Sequence, residues 1–323
     1  MLPQEQQPDY FSLTPDLVLD ALESIGLQPE AALLTLNSYE NRVYQYRDLD
    51  GKRWVTKFYR PNRWTDEQII EEHEFTLELL ENEIPVVPPE IIDNKTLHFY
   101  KDFRFSIFAS KGGRTPNLDD EQVLKWLGRM TARLHNIGSI KQFKFRPEIS
   151  LQDFGKASVD FLTKSNFIPF HLEQAFEAIT SQLLEICENT FEGFGNYQSI
   201  RIHCDFHPGN LLWNDEGPQF VDFDDSRMGP AIQDLWMLIT DTESQQQKNA
   251  LVSGYQEFRE LDPLQWNLVE SLRTIRMLHY SAWLGRRWDD PAFKHHFPWF
   301  ESNAYWEQQI LSFKEQFAII KNN

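Results

Sequence analysis

The spacing of apolar and polar positions changes character along the chain: short alternating runs dominate up to Ala109, and helical spacing dominates beyond it. Thr14-Pro15-Asp16 precedes Leu17, Val18, Leu22 and Ile25 at helical intervals. This predicts a helix over 15–26 with an N-cap threonine, a proline at its first position and Gly26 as terminator. Leu33–Leu36 and Asn41–Tyr46 read as a strand pair around Asn37 to Glu40, and Arg53–Tyr59 reads as a third strand after a turn at Asp48 to Gly51. A helix is expected from Thr65-Asp66 to Asn82, with most of its acids in water, followed by strands over Leu97–Tyr100 and Phe103–Ala109. Lys111-Gly112-Gly113-Arg114 is a turn-rich crossing. Beyond it, 119–137, 167–189, 233–240, 244–260, 263–287 and 304–321 carry helical spacing without repeats. The class is therefore α+β in two lobes: 1–109 with a small antiparallel sheet, 110–117 as hinge, and 118–323 mostly helical.

One stretch carries chemistry. His203-Cys204-Asp205-Phe206-His207-Pro208-Gly209-Asn210 is followed by Val221-Asp222-Phe223-Asp224-Asp225. Asn210 lies five residues after Asp205. Protein-kinase catalytic loops keep that interval: the Asp accepts the hydroxyl proton, the Asn holds Mg²⁺, and a later Asp completes the metal site. Asp222 fits this last role. Mg²⁺ takes hard oxygen ligands and keeps waters and phosphate oxygens around it, so an amide and a carboxylate suit it while the base stays unmetallated. A Zn²⁺ or Fe²⁺ site is the local rival, because His203, Asp205 and His207 alternate on one face of an extended segment. Asn210 is a poor zinc ligand, and Pro208-Gly209 turns the chain, so the kinase reading leads. His203 reads as a loop-scaffolding residue, His135 as a satisfied core or capping histidine at a helix end, and Asp234 as an anchor for the loop.

Lys57 sits within Trp54–Phe58, turned to the opposite face from Phe58, as the phosphate-binding lysine sits on the third strand of kinases. A strand lysine by itself is ordinarily solvated, and it is the Asp205 constellation that gives Lys57 a role. Glu72, with Glu71 as runner-up, is its expected partner.

Composition narrows the partners. With 31 Lys and Arg against 49 Asp and Glu, the net charge of -18 argues against a nucleic-acid binder, which needs a basic footprint. A nucleotide site here must be locally basic. No apolar run approaches the roughly 20 residues of a membrane span, and MLPQEQQPDY has no basic or apolar leader pattern. The expectation is a soluble, cytoplasmic protein without membrane partners. Cys187 and Cys204 are too few for a disulfide framework and fit a reducing compartment, Cys204 as a small buried side chain.

The set resembles the aminoglycoside-phosphotransferase and choline-kinase branch of the protein-kinase-like fold, whose signature is His-x-Asp-x-His-x-Gly-Asn. More narrowly, Leu36–Tyr44, Lys57–Pro61, Glu71-Glu72-His73, Gln233–Leu238, Ala282-Trp283-Leu284 and Phe297-Pro298-Trp299 are similar to the bacterial stress response kinase A family. That resemblance implies a bilobal kinase fold and a cytoplasmic, ATP- and Mg²⁺-dependent Ser/Thr protein kinase of stress physiology, acting on a protein acceptor or on itself. It implies Asp205 as base, Asn210 and Asp222 as Mg²⁺ ligands, Lys57 on the α- and β-phosphates, and Ser38 in the nucleotide loop. No Gly-x-Gly-x-x-Gly is present, so Asn37 to Asn41 must cover the phosphates.

The alternative with the same chemistry is a small-molecule kinase acting on a choline-, homoserine- or aminoglycoside-like hydroxyl. Arg276, Tyr280, Trp283 and Arg287 form a helical stripe that reads either as an acceptor-pocket wall or as packing. A catalytically dead ATP-binding scaffold is the third reading, and the intact Asp205, Asn210, Asp222 and Lys57 speak against it.

Overall fold

Thr14 opens the first helix. Its hydroxyl accepts the Leu17 N–H, Pro15 takes the first position, and α1 runs Pro15–Ser24, with Gly26 just beyond at φ +82°. The computed structural model describes residues 10–195, 197–215, 217–241 and 244–322, so most of the stretch read above for a leader pattern lies outside it. No helix among the described residues is long and apolar enough to cross a membrane. The chain divides into two compact units, each discontinuous in sequence. One comprises Met1–Arg146, His203–Ser226 and Met237–Arg259; the other comprises Pro147–Ile202, Arg227–Trp236 and Glu260–Asn323.

In the first unit, β1 (Leu34–Thr35), β2 (Arg42–Arg47), β3 (Arg53–Phe58), β4 (His98–Tyr100) and β5 (Phe103–Ala109) form an antiparallel sheet in the order β1-β2-β3-β5-β4. Alternation decides its faces. Tyr44, Tyr46, Phe58, Phe103 and Phe105 pack under α1 against Val18, Ala21 and Leu22, with the Phe58 and Phe105 rings stacked at 5.1 Å. Each buried aromatic contributes about 1.5–3 kcal/mol. Lys57, one residue before Phe58, is thereby turned to the other face. There α2 (Asp66–Glu81) begins at a Thr65–Gln68 capping box, the two side chains satisfying each other's backbone N–H groups.

α3 (Glu121–Gly138) crosses α7 (Gln245–Gln256) in the same unit at two glycines. A Cβ on Gly128 would strike the Leu251 carbonyl oxygen, and one on Gly254 would strike that of Lys125, so both positions exist to let the backbones touch. His135, fully buried on α3, bonds the Tyr255 hydroxyl at 2.9 Å and is a core residue. The strands β7 (Leu211–Asn214) and β8 (Gly217–Phe220) form the antiparallel ladder that precedes Asp222.

The second unit packs α5 (Phe170–Phe194), α8 (Val269–Arg286) and α10 (Asn303–Asn322) around Phe176, Leu183, Leu278, Phe300, Trp306 and Phe313. It also contains α4 (Ala157–Lys164), α6 (Ile232–Trp236), α9 (Pro291–His296) and an antiparallel pair, β6 (Ser199–Ile202) with β9 (Arg227–Pro230). Some expectations change. The helix read over 263–287 opens as a 3₁₀ turn, Pro263–Leu268, because Asp262 caps Leu264 N–H there and the α-helix starts only at Val269. The 233–240 helix stops at Trp236. On α8, Tyr280 and Trp283 stack at 5.8 Å, Arg287 lies over Trp283, and Trp283 packs on Phe293 and Phe297.

Candidate active site

Asp205, Asn210, Asp222, Lys57, Glu72 and Ser38 lie in the first unit, whereas Asp234 and the stripe Arg276, Tyr280, Trp283 and Arg287 belong to the second. Cys204, buried, adopts φ +69°, a left-handed turn immediately before Asp205. His203 is fully buried beside Phe206 and Phe223, and its Nε2–H donates to the Val221 carbonyl at 3.0 Å. It therefore ties the Asp205 loop to the residue preceding Asp222. The Gly209 N–H donates to His207 Nδ1 at 3.0 Å, which leaves the ring proton on Nε2, 3.5 Å from Asp205 Oδ2.

Asn210 closes the loop. Its Nδ2 donates to the Asp205 carbonyl at 2.8 Å and to Asp205 Oδ2 at 3.2 Å, so its Oδ1 is the atom available to an ion. The Asn210 carbonyl accepts the Val221 N–H at 3.1 Å, which sets the amide beside the strand end that delivers Asp222. One amide oxygen and one carboxylate on adjoining backbone are hard donors, few in number, and suit an ion that also takes phosphate oxygens and water.

Asp222 sits at φ +61° and turns its carboxylate to Lys57, with Nζ 2.8 Å from Oδ1. Burial alone would push the Lys57 pKa down, but the carboxylates of Asp222 and Asp224, then Tyr59 and Glu72, outweigh it and hold the amine charged. Glu72 is buried on α2, and burial pushes its carboxyl up to about 7 against the opposing pull of Lys57 and Arg146. Among the described residues the ion pair of Lys57 is with Asp222, and Glu72 acts on it at longer range.

Glu71 is engaged elsewhere, its carboxylate accepting the N–H groups of Lys144, Phe145 and Arg146 at 2.5, 2.9 and 2.9 Å. Next to Glu72, His73 bonds the Tyr59 hydroxyl at 2.7 Å and Thr96 Oγ1 at 2.8 Å. Burial first, then the Lys57 and Arg146 charges, lower its pKa to about 3. Ser38 lies half-buried in the loop between β1 and β2, and no bond among the described residues joins it to Lys57 or Asp222.

Sequence reasoning missed Arg63 and Arg146, and placed Asn41 in the phosphate-covering loop without its bond to Asp224. Arg63 grips the carboxylates of Asp224 and Asp225, Asn41 Nδ2 donates to Asp224 Oδ2 at 3.0 Å, and Arg146 donates to the Asp224 and Ser226 carbonyls. The acidic run Asp222–Asp225 was the available signal, since buried carboxylates demand cations.

Residues 33–266 match the sequence profile of the phosphotransferase enzyme family. The chain is 42% identical to stress response kinase A of Escherichia coli O157:H7 over 314 residues, covering 97% of this chain and 95% of that protein. It is 41% identical to the serine/threonine protein kinase RdoA of Salmonella typhimurium (strain LT2), covering 96% and 94%. Among solved structures, the amicoumacin kinase hAmiN in complex with AMP-PNP, Ca²⁺ and Ami superposes with a TM-score of 0.67 at 19% identity, covering 88% of this chain and 91% of that one. That likeness shows a shared kinase-like fold. On the sequence matches, this chain belongs to the phosphotransferase enzyme family and, within it, to the stress response kinase A group.

Proposed function

We propose that the chain is a cytoplasmic, ATP- and Mg²⁺-dependent Ser/Thr protein kinase of a stress response. The observation that carries this is the contact of Lys57 with Asp222 beside the bonded pair Asp205–Asn210, a phosphate-binding cation and a metal-binding acid next to a base. Asn210 Oδ1 and the Asp222 carboxylate would hold Mg²⁺, which when bound neutralises phosphate charge. Lys57 binds the α- and β-phosphates, Glu72 supports it electrostatically, and the loop of Ser38 covers the nucleotide. Asp205 orients the acceptor hydroxyl, whose oxygen forms the new bond to the γ-phosphorus as the bond to the β-phosphate oxygen breaks, and Asp205 takes the proton. The name of a relative at 41% identity, a serine/threonine protein kinase, supports a protein acceptor. The nucleotide and divalent ion in the amicoumacin kinase complex support the use of both here.

The test is incubation of the purified chain with γ-labelled ATP and Mg²⁺, alone, with Ser/Thr-rich proteins, and with a panel of choline-, homoserine- and aminoglycoside-like alcohols. Label on protein hydroxyls supports the proposal. Label confined to a small alcohol replaces it with the small-molecule reading, and no transfer to any acceptor rejects both.

A further inference from the structure

Asp222 and Asp224 are spaced as two carboxylates of one metal site, yet they face different partners. Asp224, with a side chain 5% exposed, meets the Arg63 guanidinium through Oδ2. The other arm of the same fork reaches Asp225 Oδ1 at 2.7 Å. Arg63 stands in the turn between β3 and α2, where its own side chain is 12% exposed and its guanidinium lies 5.4 Å from the Trp64 ring. Arg63 thus bridges two carboxylates with one charge-assisted bond to each; its own side chain and that of Asp224 are largely out of water, while that of Asp225 is 37% exposed.

The grip extends to the loop that must cover the phosphates. Asn41 shares Asp224 Oδ2 with Arg63 and accepts the Arg60 N–H at 3.1 Å through its own Oδ1. Glu40 Oε1 lies 3.2 Å from Arg60 Nε and 3.7 Å from Arg63 Nε, and the Arg60 side chain also donates to the Glu40 and Tyr39 carbonyls. Three segments, 39–41, 60–63 and 224–225, are thus joined by two arginines, Arg60 and Arg63, and the Asn41 amide, with Arg63 and Asn41 reaching Asp224. Asp222 precedes Asp224 by two residues in a left-handed turn that a non-glycine residue adopts at a cost of about 1–3 kcal/mol unless its surroundings impose it.

We propose that Arg63 is a positioning residue: by binding Asp224 and Asp225 it holds Asp222 turned towards Lys57, and through Asn41 and Glu40 it sets the nucleotide loop over the same place. Asp224 is then withdrawn from metal binding and serves as the fixed end of this clamp. The inference rests on the kinase reading for the use of Asp222, and a failure of that reading shows in the natural chain itself.

The test uses the full chain as Arg63→Met, Arg63→Lys, Asp222→Ala and Arg63→Met/Asp222→Ala, with Mg·ATP and metal-free ATP titrated separately by calorimetry. Arg63→Met is expected to weaken Mg·ATP binding on the order of 10-fold, to lower kcat on the order of 10- to 100-fold, and to raise amide exchange across 37–41, with Arg63→Lys between it and the natural chain. The double variant is expected to lose less Mg·ATP affinity than the product of the two single losses, since the clamp acts in part through that carboxylate. Natural Mg·ATP affinity in folded Arg63→Met, or losses that multiply in the double variant, would overturn the proposal. Should Arg63→Met not fold, Asp225→Asn, on the more exposed arm, must raise the Mg²⁺ half-saturation of ATP binding about 2- to 5-fold, and no change there overturns it equally. Failure of the kinase reading would be seen separately, as absence of phosphoryl transfer by the natural chain.

Discussion

Lys57 Nζ stands 2.8 Å from Asp222 Oδ1 across 165 residues of sequence. The contact joins the third strand to the turn after β8, and it leaves the Asp222 carboxylate half-exposed, open to an ion on its other side. Replacing Asp222 by Ala is expected to weaken Mg·ATP binding about 10-fold or more while metal-free ATP changes little, because a ligand is lost together with the partner of Lys57. Calorimetric titrations with and without Mg²⁺ check this, and equal losses in both would remove Asp222 from the metal site.

Asp205 is held by Asn210 and faced by His207. Asp205→Ala is therefore expected to reduce turnover by about 10²- to 10⁴-fold and to leave the Kd for ATP within a few-fold, since a base acts in the transition state. Single-turnover transfer of labelled phosphate measures the first quantity and equilibrium binding the second. Turnover within a few-fold of the natural chain would assign the proton elsewhere.

Glu72 and His73, neighbours on α2, respond to pH with opposite signs. The fold favours neutral His73, with a pKa of about 3 against an ordinary 6.5, so its stabilisation is complete above pH 6.5 and is lost as pH falls towards 3. It also favours protonated Glu72, with a pKa of about 7 against an ordinary 4.5, so that stabilisation is complete below pH 4.5 and is lost as pH rises through 7. Between 4.5 and 6.5 the two oppose each other. Glu72→Gln is expected to gain stability with rising pH over that window relative to the natural chain, and His73→Gln to lose it, each by about 1.4 kcal/mol per pH unit at most. Urea unfolding at several pH values reads both slopes, and unchanged slopes would show that neither group titrates as described.

Gly128→Ala gives a structural test of the α3–α7 crossing. Helix propensity alone would favour alanine by about 1 kcal/mol. The new methyl would meet the Leu251 carbonyl oxygen and Tyr255 N, so a net loss of about 1–3 kcal/mol is expected from overpacking. Thermal unfolding decides it: a stabilised variant would mean that the helices do not approach at Gly128.

Much of this arrangement was legible because it is local. The Asp205–Asn210 interval, the Thr14 and Thr65 caps and the alternation that turns Lys57 away from Phe58 each depend on a few consecutive residues, and the structure realises the caps and the alternation where they were read. Adjacent acids on a helix are different: periodicity does not say which of Glu71 and Glu72 faces inward when both border the buried arc, and their partners come from segments far along the chain. The bonds of Arg63 and Asn41 to Asp224 were invisible for the same reason, because they span 161 and 183 positions. The four-residue strands β6 and β9 were missed because runs so short, with Gly229 inside one of them, carry too little alternation to register.

The position of α2 is bolted rather than poised. Glu71 takes three successive backbone N–H groups, Arg146 donates to the Gln68 carbonyl, and Gln68 returns a bond to the Phe145 carbonyl. Swinging this helix outward to silence the enzyme would forfeit all five bonds, at about 1 kcal/mol each and more for those to the carboxylate. A helix held this way has no low-energy outward posture, so its amide protons are expected to exchange no faster than those of the sheet in the same unit.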